Sequence, residues 1–173
     1  MRKKFETGFS VYLSTGKEKN EKIIEKAVKA GLKYVFTSLN ISEEKVDKQS
    51  ELEKIIRLCT EHNLNLIVDI NSTTKDIANL NSENVYLRID DGFTVDEILN
   101  LSEKNKIVLN ASTVTEEELE YMKLRNAKFF NMLSLHNFYP KRFTGISKKY
   151  LLEQNLKYKK YGIGTMAFVK GDE

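Results

Sequence analysis

The sequence predicts an α/β protein built as an incomplete (β/α)8 TIM barrel, with about seven strands and six helices present. Three observations predict it. Short, near-continuous apolar runs alternate with segments of helical periodicity along the whole chain, as parallel strands buried on both faces do when right-handed helical crossovers join them. Nearly every apolar run ends in polar residues: Ser14, Ser38 and Asn40, Asp69, Asp90 and Asp91, Asn110 and Ser112, then Ser134 and His136. A barrel gathers such strand ends at one mouth, whereas an open sheet strings them along an edge. The 173 residues end after the seventh strand, short of the roughly 200–250 that a closed eightfold barrel uses.

Strands are expected at Gly8–Ser14, Tyr34–Asn40, Leu64–Ile70, Val85–Asp91, Lys106–Ser112, Lys128–Leu133 and Ile163–Val169. Between them, Asn20–Ala30 places Ile23, Ile24, Ala27 and Val28 on one helical stripe, and Asp47–Asn63 does the same with Leu52, Ile55, Ile56 and Cys59. Thr94-Val95-Asp96-Glu97 and Thr115-Glu116-Glu117-Glu118 read as capping boxes, a Thr hydroxyl at the cap and a Glu three residues on. Ser147 can cap a helix running to about Tyr161, which Gly162 ends. Between Ile70 and Val85 there is room only for a short helix near Thr74–Leu80.

Charge and composition exclude several classes. Lys and Arg number 28 against 25 Asp and Glu, a formal net charge of +3, too mild to argue for nucleic acid or a membrane surface as partner. The runs Arg2-Lys3-Lys4 and Lys157-Tyr158-Lys159-Lys160 are short enough to be solvated surface. Cys59 is the single cysteine, so there is no disulfide framework and no thiolate zinc site, and its apolar neighbours predict a buried core residue. The start MRKKFETGFS lacks a signal-peptide core and no apolar run reaches membrane-spanning length; a cytoplasmic protein is expected. With no closely spaced histidine pair, no metal site is expected, and neither a nucleophile elbow, a P-loop nor a dinucleotide fingerprint is present.

Two segments carry the chemistry. In Tyr86-Leu87-Arg88-Ile89-Asp90-Asp91 the strand alternation puts Arg88 and Asp90 on one face. A buried Arg needs an acidic partner, and either Asp90 or Asp69 can supply it. Paired carboxylates at strand ends are what glycoside hydrolysis uses, which makes Asp69 and Asp90 the candidate catalytic pair, with Arg88 orienting Asp90 or binding substrate. The second segment is Leu135-His136-Asn137-Phe138-Tyr139-Pro140-Lys141-Arg142-Phe143-Thr144-Gly145, read as a long loop after the sixth strand. An aromatic can stack on a sugar ring, an Asn can hold hydroxyls, and an Arg can grip a phosphate or carboxylate. Asn110, His136, Asn137, Tyr139 and Arg142 are therefore candidate substrate-binding residues.

In order along the chain, Gly8-Phe9-Ser10-Val11-Tyr12-Leu13, Phe36-Thr37-Ser38-Leu39, Leu87-Arg88-Ile89-Asp90, Leu109-Asn110-Ala111-Ser112-Thr113, His136-Asn137-Phe138-Tyr139-Pro140 with Thr144-Gly145, and Leu152-Glu153-Gln154-Asn155 together resemble the 6-phospho-N-acetylmuramidase family. The resemblance implies a barrel followed by a cyclophilin-like domain. It also implies hydrolysis of the β-1,4 bond of N-acetylmuramic acid 6-phosphate–N-acetylglucosamine inside the cell during peptidoglycan recycling, with no metal or organic cofactor. On that reading residues 1–173 are a barrel domain lacking its last βα region, and the cyclophilin-like domain is absent. The chain is then expected to self-associate or to be completed by a partner chain. The rival expectation is a non-catalytic sugar-phosphate-binding remnant.

Overall fold

The computed structural model describes residues 6–41, 45–78, 82–110, 113–127, 129–138 and 152–169. Contacts divide the chain into two compact units, Met1–Arg88 and Ile89–Glu173.

In the first unit the strands run β1 (Gly8–Ser10), β2 (Tyr34–Ser38), β3 (Asn65–Ile70) and β4 (Val85–Ile89), neighbours in that order, β4 reaching the unit boundary. β1 pairs parallel with β2 through Gly8↔Tyr34, Phe9↔Val35 and Ser10↔Phe36. Gly8 permits the approach: a Cβ there would meet the Tyr34 carbonyl oxygen at 2.6 Å. β2 pairs parallel with β3 from Tyr34↔Asn65 to Ser38↔Asp69. Side chains of paired parallel residues share a face, so two sets separate. Val35, Thr37 and Leu39 with Leu66, Val68 and Ile70 are buried, while Tyr34, Phe36, Ser38 and Asn40 are half-buried.

Helices α1 (Lys17–Lys29) and α2 (Lys48–Glu61) belong to this unit. α1 buries Asn20, Ile24 and Ala27, a narrower stripe than its sequence suggests, since Ile23 stays 39% exposed. α2 buries Leu52, Ile55, Leu58 and Cys59. Each fully buried Leu or Ile contributes roughly 1.5–3 kcal/mol. Asp47 caps α2, its carboxylate accepting from the Ser50 backbone N–H at 3.2 Å. Cys59 is free and buried, and burial pushes its thiol up to about 12, so it stays protonated and unreactive at neutral pH.

The second unit holds β5 (Lys106–Asn110), β6 (Phe129–Phe138) and β7 (Gly164–Val169), paired parallel in that order. Its helices are α3 (Val95–Ser102), α4 (Glu116–Leu124) and α5 (152–159). Both sequence-read capping boxes form. The Glu97 and Glu118 carboxylates accept from the Thr94 and Thr115 N–H at 2.9 and 2.8 Å, and the two Thr hydroxyls accept from the N–H of the same glutamates. Gly162 ends the last helical segment at φ +73°, a conformation that favours glycine.

The expectation of an incomplete (β/α)8 barrel with about seven strands and six helices is corrected by this architecture, which is parallel α/β in two compact units. Among the described residues there are five α-helices. Where another was expected, at Thr74–Leu80, the described residues make a 3-10 turn, Lys75–Ala78, and residues 79 and 80 lie outside them. The cause is local. The Asn71 carboxamide oxygen accepts from the Thr73 N–H at 2.9 Å and its hydroxyl at 2.7 Å, and such side-chain turns compete with helix. A barrel repeat needs a helix able to cover its strand, and among the described residues this crossover has that turn alone. The first strand is also shorter than expected, because the chain enters a 3-10 turn at Leu13–Thr15. In the other direction β6 outruns its expected end at Leu133: a register shift between Ser134 and Phe138 keeps the chain extended to Phe138.

Among the described residues no helix is long and apolar enough to cross a membrane, and no group of three or more His, Cys, Asp or Glu is placed to hold a metal ion.

Candidate functional site

In the first unit the carboxyl ends of β2, β3 and β4 build a polar cluster around Asp69. Register alone sets Ser38 opposite Asp69. The Ser38 hydroxyl donates to Asp69 Oδ2 at 2.8 Å, and the Asn40 side-chain amide donates to the same oxygen at 3.1 Å. The other oxygen, Oδ1, takes a hydrogen bond and ion pair from the Arg88 guanidinium. Asp69 is 6% exposed and Arg88 3%, so this is a buried charge pair whose partners hold it rigidly. Breaking such a pair by removing one member typically costs about 3–5 kcal/mol. Further out, the Thr74 hydroxyl reaches Asn40 Oδ1 at 3.3 Å and accepts from the Asn71 N–H at 3.0 Å. The Lys48 ammonium closes the β2–α2 turn by donating to the carbonyls of Leu39 and Ile41 at 2.5 and 3.1 Å.

In the second unit Asp90 follows β4 directly and is half-buried. Its Oδ1 accepts from the Asn110 side-chain amide at 2.8 Å. Asn110, at the end of β5, is fully buried, and its carbonyl accepts from the Thr113 N–H and hydroxyl at 3.1 and 3.3 Å. The Asn110 backbone is thus held at the point where its buried amide meets Asp90. A groove of about 410 Å³ in this unit, lined by Thr94, Asp96, Glu117 and Tyr121 among others, lies on the α3–α4 side and includes neither Asp90 nor Asn110.

The structure therefore brings Asp69 together with Arg88, and Asp90 together with Asn110. Of the two acidic residues the sequence offers Arg88, Asp69 meets it with a hydrogen bond and ion pair. His136 and Asn137 fall within β6 rather than in a loop, and their side chains are not described; Tyr139 and Arg142 lie outside the described residues. Ser38 and Asn40 were visible in the sequence as polar strand ends without a role. Their i, i+2 spacing on a strand, which puts both on one face, was the signal that could have joined them to Asp69.

A parallel α/β fold with carboxylates, amides and a guanidinium at the carboxyl ends of its strands sets the class of the protein: parallel α/β with a polar strand-end cluster. Residues 7–173 match the family model described as 6-phospho-N-acetylmuramidase, N-terminal, and the chain belongs to that family. No curated protein sequence matches it. Among solved structures it is similar to a conserved protein of unknown function from Enterococcus faecalis, at 29% identity and a TM-score of 0.76, covering 98% of this chain and 50% of that one. The chain thus spans about half the length of that relative. The spore coat polysaccharide biosynthesis protein spsE of Bacillus subtilis (10% identity, TM-score 0.65, 95% and 53% covered) and a trimodular GH5_4 endoglucanase (11%, 0.58, 92% and 47%) share the fold.

Proposed function

We propose that this chain supplies the acid–base and sugar-binding part of a cytoplasmic glycosidase that cleaves the β-1,4 bond between N-acetylmuramic acid 6-phosphate and N-acetylglucosamine in peptidoglycan recycling. The observation that carries the proposal is the family match over residues 7–173 combined with a half-buried Asp90 held by a fixed amide.

Hydrolysis breaks the bond from the muramyl C1 to the bridging oxygen, delivers a proton to that oxygen, and leaves the hydroxyl of water on C1. The group that moves the proton must be able to carry one. Asp69 is poorly suited, because both of its oxygens already accept from donors, one of them an Arg. The proposal therefore gives the two carboxylates different roles: Asp90 is the catalytic acid or base, and Asp69 with Arg88 is the positioning pair that keeps the strand leading into Asp90 in register. Asn110 holds the Asp90 carboxylate, His136, Asn137 and Tyr139 contact the sugars, and Arg142 takes the 6-phosphate, for which a guanidinium fork is well matched.

The test is hydrolysis of the phosphorylated disaccharide followed by release of N-acetylglucosamine, with the unphosphorylated disaccharide as control. Release from the first and little from the second supports the reading. Tight binding of the phosphorylated sugar without turnover points to a binding protein instead, and binding of neither removes the proposal.

A further inference from the structure

Among the described residues Tyr12 is the exposed aromatic that stands nearest, by register, to the Asp69 cluster. Exposure of one aromatic is ordinary; the position is what carries the argument. The Val11 N–H donates to the Phe36 carbonyl at 2.9 Å and closes the Ser10↔Phe36 pair at the end of β1. Tyr12 keeps extended backbone, φ −111° and ψ 141°. Alternation therefore puts Tyr12 on the face of Gly8 and Ser10, away from buried Val11 and Leu13. Ser10 pairs with Phe36, so two residues further on Tyr12 stands level with Ser38, whose hydroxyl meets Asp69. The ring is thus on the same face and at the same height as the Asp69 cluster, two strand spacings or roughly 10 Å away along the sheet.

The position is also stiff. The Tyr12 carbonyl accepts from the Asn20 side-chain amide at 2.9 Å and from the Thr15 N–H at 3.1 Å, and Asn20 itself is 1% exposed on α1. The backbone is pinned from the core while the side chain stays 55% exposed. A rigidly based aromatic with a free face and few rotatable bonds makes a low-entropy contact surface.

We propose that Tyr12 is a stacking platform for one pyranose ring of the substrate, setting the sugar so that its neighbour lies over Ser38, Asn40 and Asp69. The proposal rests on the saccharide reading above and adds a specificity residue to it. The apolar face of a pyranose lies on the phenol ring, and the hydroxyl and amide groups at the ends of β2 and β3 face the polar edge of the next sugar.

Calorimetric titration of the unmutated protein and of Tyr12→Ala, Tyr12→Leu and Tyr12→Phe tests it, with the phosphorylated muramyl disaccharide, its unphosphorylated counterpart and inorganic phosphate as probes. Stacking predicts that Tyr12→Ala weakens both disaccharides about ten-fold, the factor that roughly 50–60 Å² of buried apolar face supplies. Tyr12→Phe stays within about two-fold, Tyr12→Leu falls between, and inorganic phosphate binding does not change. Unchanged melting temperatures confirm that the variants fold, as expected for an exposed side chain. If Tyr12→Ala binds the disaccharides as the unmutated protein does, or if Tyr12→Phe loses as much as Tyr12→Ala, the platform is overturned and the glycosidase reading stands. If the unmutated protein binds neither disaccharide, both fall.

Discussion

Asp69 and Asp90 are both aspartates at the carboxyl ends of parallel strands, and each meets an asparagine amide, Asn40 for one and Asn110 for the other. Their surroundings otherwise differ. Asp69 is buried, faces an Arg that is itself buried, and has donors on both oxygens. Asp90 is half-buried and lies where its strand has just ended. A carboxylate held on both oxygens by fixed donors serves geometry, and on the reading proposed above the half-buried one does the chemistry. Two residues of one type at equivalent places in two units can therefore divide structure and chemistry between them, and sequence position alone does not say which does which.

The comparison can be broken most sharply at Arg88. Arg88→Met should lower stability by about 3–5 kcal/mol, because it leaves the Asp69 carboxylate buried without its counter-charge; the urea midpoint should fall accordingly. Adding Asp69→Leu to Arg88→Met should recover much of that loss, since an apolar pair of similar volume is often as stable as the ion pair. A double variant no better than the single one would mean that the pair is not the unit that matters.

On the Asp90 side, Asn110→Ala removes a buried amide and should cost a smaller amount, about 1–3 kcal/mol. The same substitution should lower turnover per folded molecule, because the group that holds Asp90 is gone. A stability loss at unchanged turnover per folded molecule would leave Asn110 a packing residue.

Alkali distinguishes the two units in another way. Cys59 is raised from 9.0 to about 12 by burial, and Tyr34 from 10.0 to about 12 by burial and by its hydrogen bond to Glu6 at 3.0 Å. Both belong to the first unit. Groups whose protonated form is favoured by folding stabilise fully below their unfolded values and lose that contribution as pH rises toward the folded ones. The melting temperature should therefore fall between pH 9 and 12, and Cys59→Ala should flatten the early part of that fall. At pH 8 the native thiol should resist iodoacetamide until denaturant is added. The smallest effect is expected at Thr115, where removing the cap hydroxyl with Thr115→Ala should cost about 1 kcal/mol.

Some of this was legible in the sequence for a physical reason. The two capping boxes are four-residue patterns whose partners are three positions apart, and they formed as read. Cys59 announced its burial through the apolar residues around it. The Asp69 cluster was not legible to the same degree, since Ser38 and Asp69 lie 31 positions apart and only the strand register brings them together. For the same reason the sequence left open which acid meets Arg88, and sheet geometry brings Asp69 to it. In the described part of the helix expected after β3 the chain turns instead, because Asn71, Thr73 and Thr74 find turn partners in one another, a competition that apolar periodicity does not register. The sixth strand runs past its expected end at Leu133 to Phe138, with a register shift against β7 between Ser134 and Phe138.

The most direct test of the division between the two aspartates is to make Asp90→Asn and Asp69→Asn separately and to measure, for each, the rate of hydrolysis of the phosphorylated disaccharide per folded molecule together with the melting temperature. The account predicts that Asp90→Asn loses at least about 10²–10⁴ in rate with a melting temperature close to that of the unmutated protein. It predicts that Asp69→Asn melts several degrees lower and keeps most of its rate per folded molecule. An Asp90→Asn protein that still turns over at the normal rate, or an Asp69→Asn protein that is stable and inactive, would contradict it.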